Sequence, residues 1–151
     1  MTPTAETRLR VRYAETDKMG VVYYANYLIW MEVGRVELCK ACGFSYRDME
    51  LDDGVGLAVA EAQCRYRAPA HFDDEVIVKT WIAEANKRLV TFAYEMRLAE
   101  SDAVLAVGST RHVFVNRNME RTRMPDKYRR LFGLGAEPDP RLTGGGLEGP
   151  V

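Results

Sequence analysis

The residues best suited to chemistry lie in one stretch, Arg12-Tyr13-Ala14-Glu15-Thr16-Asp17-Lys18-Met19-Gly20-Val21-Val22-Tyr23-Tyr24-Ala25-Asn26-Tyr27, a polar loop that leads into a helical segment. The first amides of a helix have no intrahelical acceptor and sit at the positive end of its dipole, so they attract a carbonyl oxygen that is gaining negative charge. A carboxylate just before them, here Asp17, can attack that carbonyl or activate a water against it. An Asp ahead of a helix is ordinarily a cap or a solvated side chain, so residue types alone do not identify a reaction. Glu15, with Tyr13 and Thr16 beside it, reads as a loop-stabilising or solvated acid.

Other chemistries have little to build on. The serines are Ser45, Ser101 and Ser109, with no Gly-x-Ser-x-Gly and no histidine next to any of them. There is no Gly-x-Gly-x-x-Gly and no phosphate-binding Gly-x-x-x-x-Gly-Lys-Ser/Thr. His71 and His112 are far apart in sequence, and no metal site is expected. Cys39-Lys40-Ala41-Cys42 matches Cys-x-x-Cys, but it falls at a helix C-terminus, where the dipole disfavours thiolates, and no second ligand pair exists. These two and Cys64 read as free thiols, the first pair as small core residues.

The elements that must position the loop are legible from periodicity. Arg8 to Tyr13 alternates apolar and basic residues, the pattern of a half-buried strand. Residues 27–42 read as the main helix, with Asn26 as N-cap and Gly43 just past the end. On a 3.6-residue wheel Tyr27, Leu28, Trp30, Met31, Gly34, Leu38, Ala41 and Cys42 share the face expected to meet a sheet. Gly34 costs ~1 kcal/mol relative to Ala inside a helix, which implies a close approach of the helix backbone to that sheet. Four strands follow, Leu57 to Ala68, Glu75 to Ala85, Leu89 to Ala99 and Val104 to Asn116, expected as an antiparallel meander. Met124 to Gly133 reads as a short terminal helix. The order β, long helix, then four strands is α+β.

With 151 residues the chain fits one domain able to bury about 70% of its unfolded surface. Lys plus Arg number 21 against 22 Asp plus Glu, a net charge of −1, so neither nucleic acid nor an anionic membrane is the expected partner. No secretory leader and no stretch of ~20 apolar residues is present, implying a soluble, cytoplasmic protein. Residues 134–151 are rich in Gly and Pro and read as a flexible tail after a domain of residues 1–133.

Y-A-E-T-D-K-M-G-V-V-Y-Y-A-N-Y, followed by a helix and then Y-R-A-P-A-H-F-D-D-E-V, resembles the hotdog-fold 4-hydroxybenzoyl-CoA thioesterase family, which includes the Tol-Pal-associated acyl-CoA thioesterases. The similarity runs through residues 8–132. It implies a five-stranded antiparallel sheet wrapped around one long helix, and two subunits joined sheet edge to sheet edge, often paired again into tetramers, with active sites at the subunit interface. It further implies hydrolysis of an acyl-CoA or aryl-CoA thioester with no metal or organic cofactor. By motif position Asp17 is the catalytic carboxylate, as nucleophile or general base, and the Tyr24 backbone N–H polarises the carbonyl. Tyr23, Asn26 and Tyr27 fall to substrate binding, and Lys87 and Arg88, in the turn between two strands, to the CoA nucleotide. Many relatives carry His where this chain has Tyr24, so no histidine assists water here. Hydrolysis of acyl carrier protein thioesters, or non-catalytic acyl-CoA binding, are the competing readings.

Overall fold

The computed structural model describes residues 3–134. Strand β1 (Thr4–Arg10) leads through a 3-10 turn at Tyr13–Glu15 to helix α1 (Asn26–Ala41), and a short helical segment at 46–53 precedes four strands. These are β2 (Gly56–Tyr66), β3 (Glu75–Ala85), β4 (Leu89–Leu98) and β5 (Val104–Val115). All five strands form one sheet in the order β1-β3-β4-β5-β2, and every neighbouring pair is antiparallel.

The sequence expectations hold for the order of one strand, one long helix and four strands, and differ at several points. Strand one lies at 4–10 and not at 8–13, because the Arg12 N–H donates to the Glu15 carboxylate (2.8 Å) and turns the chain away from the sheet. Only β3-β4-β5 is a meander. β2 pairs with β5, and residues 67–74 carry the chain across the end of the sheet to β3. Alternation reports which face a strand buries and says nothing of its neighbour, so this pairing was not readable. The terminal helix shrinks to a 3-10 turn at Asp126–Tyr128, and burial of Tyr128 and Phe132 holds the segment against the core. Of the expected tail, Leu134 packs against the core, and residues 135–151 lie outside the described residues.

Helix α1 buries Tyr27, Trp30, Met31, Gly34, Leu38 and Cys39. Leu28 and Ala41, expected on this face, are exposed, and Cys39 takes the inner place. At its C-terminus Gly43 has φ of +92°, its N–H donates to Lys40 (3.0 Å), and the Phe44 N–H donates to Cys39 (3.1 Å). That is a Schellman closure, which requires the left-handed conformation Gly adopts without strain.

The inner face of the sheet is largely apolar: Val76 and Val78 on β3, Val90, Phe92 and Met96 on β4, Phe114 on β5. A buried polar line interrupts it. Thr110 Oγ1 meets the Tyr94 hydroxyl at 2.6 Å and His112 Nε2 at 2.8 Å. Burial, with the charge of Arg35 adding to it, pushes the His112 imidazole down to about 4, so it is neutral at neutral pH.

The expected close approach at Gly34 is present. A Cβ on Gly34 would overlap Thr80 Oγ1 and stand 2.9 Å from Val78 Cγ1. Gly34→Ala should therefore lose about 1–3 kcal/mol in chemical denaturation through overpacking, despite the better helix propensity of Ala. Adding Thr80→Ala should recover part of that loss, a coupling visible in the double-mutant cycle.

Candidate active site

One buried acid organises the loop between β1 and α1. Glu15 is 5% exposed. Its Oε1 accepts the Arg12 N–H and its Oε2 accepts the Trp30 indole Nε1–H, both at 2.8 Å. Its backbone carbonyl accepts the Tyr23 N–H and the Asn26 side-chain amide, again at 2.8 Å. The acid read from sequence as loop-stabilising or solvated is thus fully engaged inside the loop. Asn26 does not cap α1: Ala25 occupies the N-cap position, no side chain caps the helix, and the Asn26 amide is directed back to the Glu15 carbonyl.

Asp17 stands at the head of a tight turn. Its carbonyl accepts the Gly20 N–H and its own N–H donates to Val21, both at 2.9 Å. Gly20 has φ of +81°, a conformation that favours glycine. The Met19 N–H donates to Asp17 Oδ1 at 2.8 Å, which fixes the carboxylate and leaves Oδ2 without a partner among the described residues.

Beyond the turn the chain is held by the Val22 N–H donating to Ala70 (2.8 Å) and the Tyr23 N–H donating to Glu15. The helix then opens with i to i+3 bonds: the Tyr27 N–H donates to Tyr24 (3.3 Å) and the Leu28 N–H to Ala25 (3.1 Å). The backbone N–H groups of Tyr24 and Ala25 have no acceptor among the described residues. Two adjacent amides at the start of a 16-residue helix therefore keep their donor capacity for another acceptor.

A groove of about 580 Å³ brings Asp17 and Tyr24 together, walled by Tyr23, Tyr27, Tyr66, Arg67 and the backbone up to Pro69. The four tyrosines contact one another, with ring centroids 4.7 Å apart for Tyr23–Tyr24, 6.3 Å for Tyr24–Tyr66 and 5.1 Å for Tyr27–Tyr66. The neighbouring Tyr24 phenol, with burial and the Asp17 charge adding to it, pushes the Tyr23 phenol up, so it stays protonated. Tyr66 and Arg67 were not singled out from the sequence as site residues. The signal was the Tyr66-x-x-Pro69 strand end, which residues 66–71 carry alongside the Tyr23–Tyr24 segment.

Lys87 and Arg88 lie elsewhere. They occupy the β3–β4 turn, where Asn86 Oδ1 accepts the N–H groups of Arg88 (2.8 Å) and Leu89 (3.0 Å). The Asp17 loop follows Arg10, which pairs with Glu75 at the opposite end of β3. Along this eleven-residue strand, at ~3.3 Å per step, the two ends lie roughly 33 Å apart. A hollow beside the turn is lined by Lys87, Arg123, Asp126 and Arg129.

Burial pushes the Cys39 thiol up to about 12 and raises Cys42 as well, so the Cys-x-x-Cys pair consists of core thiols. Among the described residues no group of three or more His, Cys, Asp or Glu side chains could hold a metal ion, and no helix is long and apolar enough to cross a membrane.

A family described as the thioesterase-like superfamily matches residues 11–132. YneP of Bacillus subtilis, provisionally named as an acyl-CoA thioesterase, is 37% identical over 128 residues, 85% of this chain and 89% of that protein. The crystal structure of the hypothetical protein TT1821 from Thermus thermophilus superposes with a TM-score of 0.80 at 35% identity, covering 86% of this chain and 95% of that one. A DHNA-CoA thioesterase from Staphylococcus aureus gives 0.77 at 32% identity, covering 86% and 84%.

The Glu15–Trp30 bond is open to a direct test. Trp30→Phe keeps most of the apolar volume and leaves Glu15 Oε2 buried without a donor. A stability loss of about 1–3 kcal/mol is expected by urea titration.

Proposed function

Because the chain belongs to the thioesterase-like superfamily, we propose that it hydrolyses an acyl-CoA or aryl-CoA thioester to the free carboxylic acid and CoA, with Asp17 as the catalytic carboxylate. The observation that carries this reading is the meeting, in one groove, of a carboxylate anchored through one oxygen and a helix start whose Tyr24 amide is free. The Tyr24 N–H polarises the thioester carbonyl and holds the oxyanion that forms from it, a contribution worth ~3–4 kcal/mol where comparable donors have been removed. Asp17 either attacks the carbonyl carbon or takes the proton of a water that does. The C–S bond then breaks, and the CoA sulfur leaves and takes up a proton. Where Asp17 has attacked, a water hydrolyses the mixed anhydride, releasing the free acid and regenerating the Asp17 carboxylate. Tyr23 and Tyr27 wall the acyl group, and Asn26 serves from behind by tying the helix start to Glu15.

The separation of Lys87 and Arg88 from Asp17 fits a two-chain site. β2 is an eleven-residue edge strand with a free edge, which invites pairing with a second copy. Antiparallel pairing of two β2 strands about a two-fold axis sets the Asp17 end of one hotdog subunit beside the Lys87 end of its partner. Each nucleotide is then held by the partner's basic turn while its thioester lies at Asp17.

Two outcomes follow. Asp17→Asn should fold with an unchanged melting temperature and lose kcat by on the order of 100-fold or more across short, medium, long and aromatic acyl-CoAs, while still binding a non-hydrolysable thioether analogue. Near-wild-type turnover would overturn the mechanism. Lys87→Ala/Arg88→Ala should raise KM for acyl-CoA and weaken its salt dependence with kcat nearly unchanged. Mixed dimers of the Asp17→Asn and Lys87→Ala/Arg88→Ala chains should regain one site with wild-type KM, because Asp17 and the basic turn of that site come from different chains. Mixed dimers without a low-KM site would place the nucleotide within a single chain.

A further inference from the structure

The Tyr66 hydroxyl donates to the backbone carbonyl of Tyr24 at 2.9 Å. This contact crosses from the end of β2 to the residue just before the α1 N-cap, 42 residues apart in sequence. The carbonyl it reaches belongs to the peptide whose N–H is that of Ala25, the second of the two amides that have no acceptor among the described residues. We infer that Tyr66 is a positioning residue for thioester hydrolysis: its hydroxyl orients and polarises the Tyr24–Ala25 peptide so that the Ala25 N–H joins the Tyr24 N–H as a second donor to the oxyanion.

Two features of the local structure make the hydroxyl effective. Within the protein the Tyr24 carbonyl is otherwise met by the Tyr27 N–H, at a long 3.3 Å, so the peptide is weakly held by the helix itself. A peptide whose C=O accepts a good hydrogen bond has a more strongly polarised N–H, because bonds in a chain reinforce one another. The donor is also kept protonated: burial, with the neighbouring Cys64 thiol adding to it, pushes the Tyr66 phenol up. Its base is fixed, since the N–H groups of Arg67 and Ala68 both donate to Leu105, at 2.8 and 3.2 Å. Preorganised donors act where charge develops, in the transition state, and so they appear in kcat more than in KM.

The inference rests on the thioesterase reading, and Tyr66→Phe separates the two. The substitution keeps the ring against Tyr24 and Tyr27 and leaves the Tyr24 carbonyl its Tyr27 N–H, so the protein stays folded with an unchanged melting temperature. For the best acyl-CoA substrate of the wild type, kcat should fall about tenfold with KM and thioether-analogue affinity within twofold. In the amide NMR spectrum without ligand, the Ala25 proton should move upfield while the Tyr23 proton, held by Glu15, stays in place. An unchanged kcat in an enzyme whose wild type turns over acyl-CoA would overturn the inference alone. So would a raised KM at unchanged kcat, which would make Tyr66 a wall of the acyl pocket. Absence of turnover in the wild type on every acyl-CoA would overturn the thioesterase reading, and this inference with it.

Discussion

The structure depends on one buried carboxylate. A charge taken out of water is costly unless it is hydrogen-bonded, and Glu15 meets that condition by gathering donors from two segments that sequence separates: the chain just after β1, through the Arg12 N–H, and the second turn of α1, through the Trp30 indole. Its backbone carbonyl ties in the helix start through Tyr23 and Asn26. Where β1 ends, where α1 begins and how the Asp17 turn is presented all follow from the need to satisfy this residue. The buried Glu15 thereby fixes the geometry around the half-buried Asp17.

The helix is held from its other side by a close approach. Gly34 lets the α1 backbone come down on Val78 and Thr80 of β3, and the left-handed Gly43 closes the helix before the chain turns toward β2. With Glu15 setting the position of α1 at its first turn and Gly34 its height at mid-length, the two unpaired amides at Tyr24 and Ala25 have little freedom. A donor that must meet a transient oxyanion gains from that rigidity, since no reorganisation is needed at the moment of reaction.

The other half of the site is divided by topology. Crossing from β2 to β3 over the end of the sheet brings residues 66–71 against the helix start, so that Tyr66 and Arg67 complete the groove. The same arrangement leaves β2 with a free edge and sends the basic β3–β4 turn to the far end of the molecule. If Lys87 and Arg88 hold the nucleotide as proposed, the Asp17 end and that turn can meet only across two copies of the chain.

Much was determined by the amino-acid sequence alone. The β-helix-β-β-β-β order, the boundaries of β3, β4 and β5 to within about a residue, the glycine contact under α1 and the Asp17–Tyr24 segment were all legible, because they arise from local periodicity, glycine stereochemistry and a contiguous motif. Only the tertiary structure decided the rest. That β2 pairs with β5 and not β3 depends on which edge is left when the sheet is assembled, and alternation is blind to it. That Glu15 is buried by Trp30, and that Asn26 faces back to Glu15 while Ala25 takes the N-cap position, depends on side chains meeting across a fold. Tyr66 reaches the Tyr24 carbonyl, and Lys87 and Arg88 stand a strand's length from Asp17, for the same reason. Spacing along a chain constrains which groups can be neighbours within a turn or a strand, whereas a hydrogen bond between residues 24 and 66 exists only once the sheet has closed the distance between them.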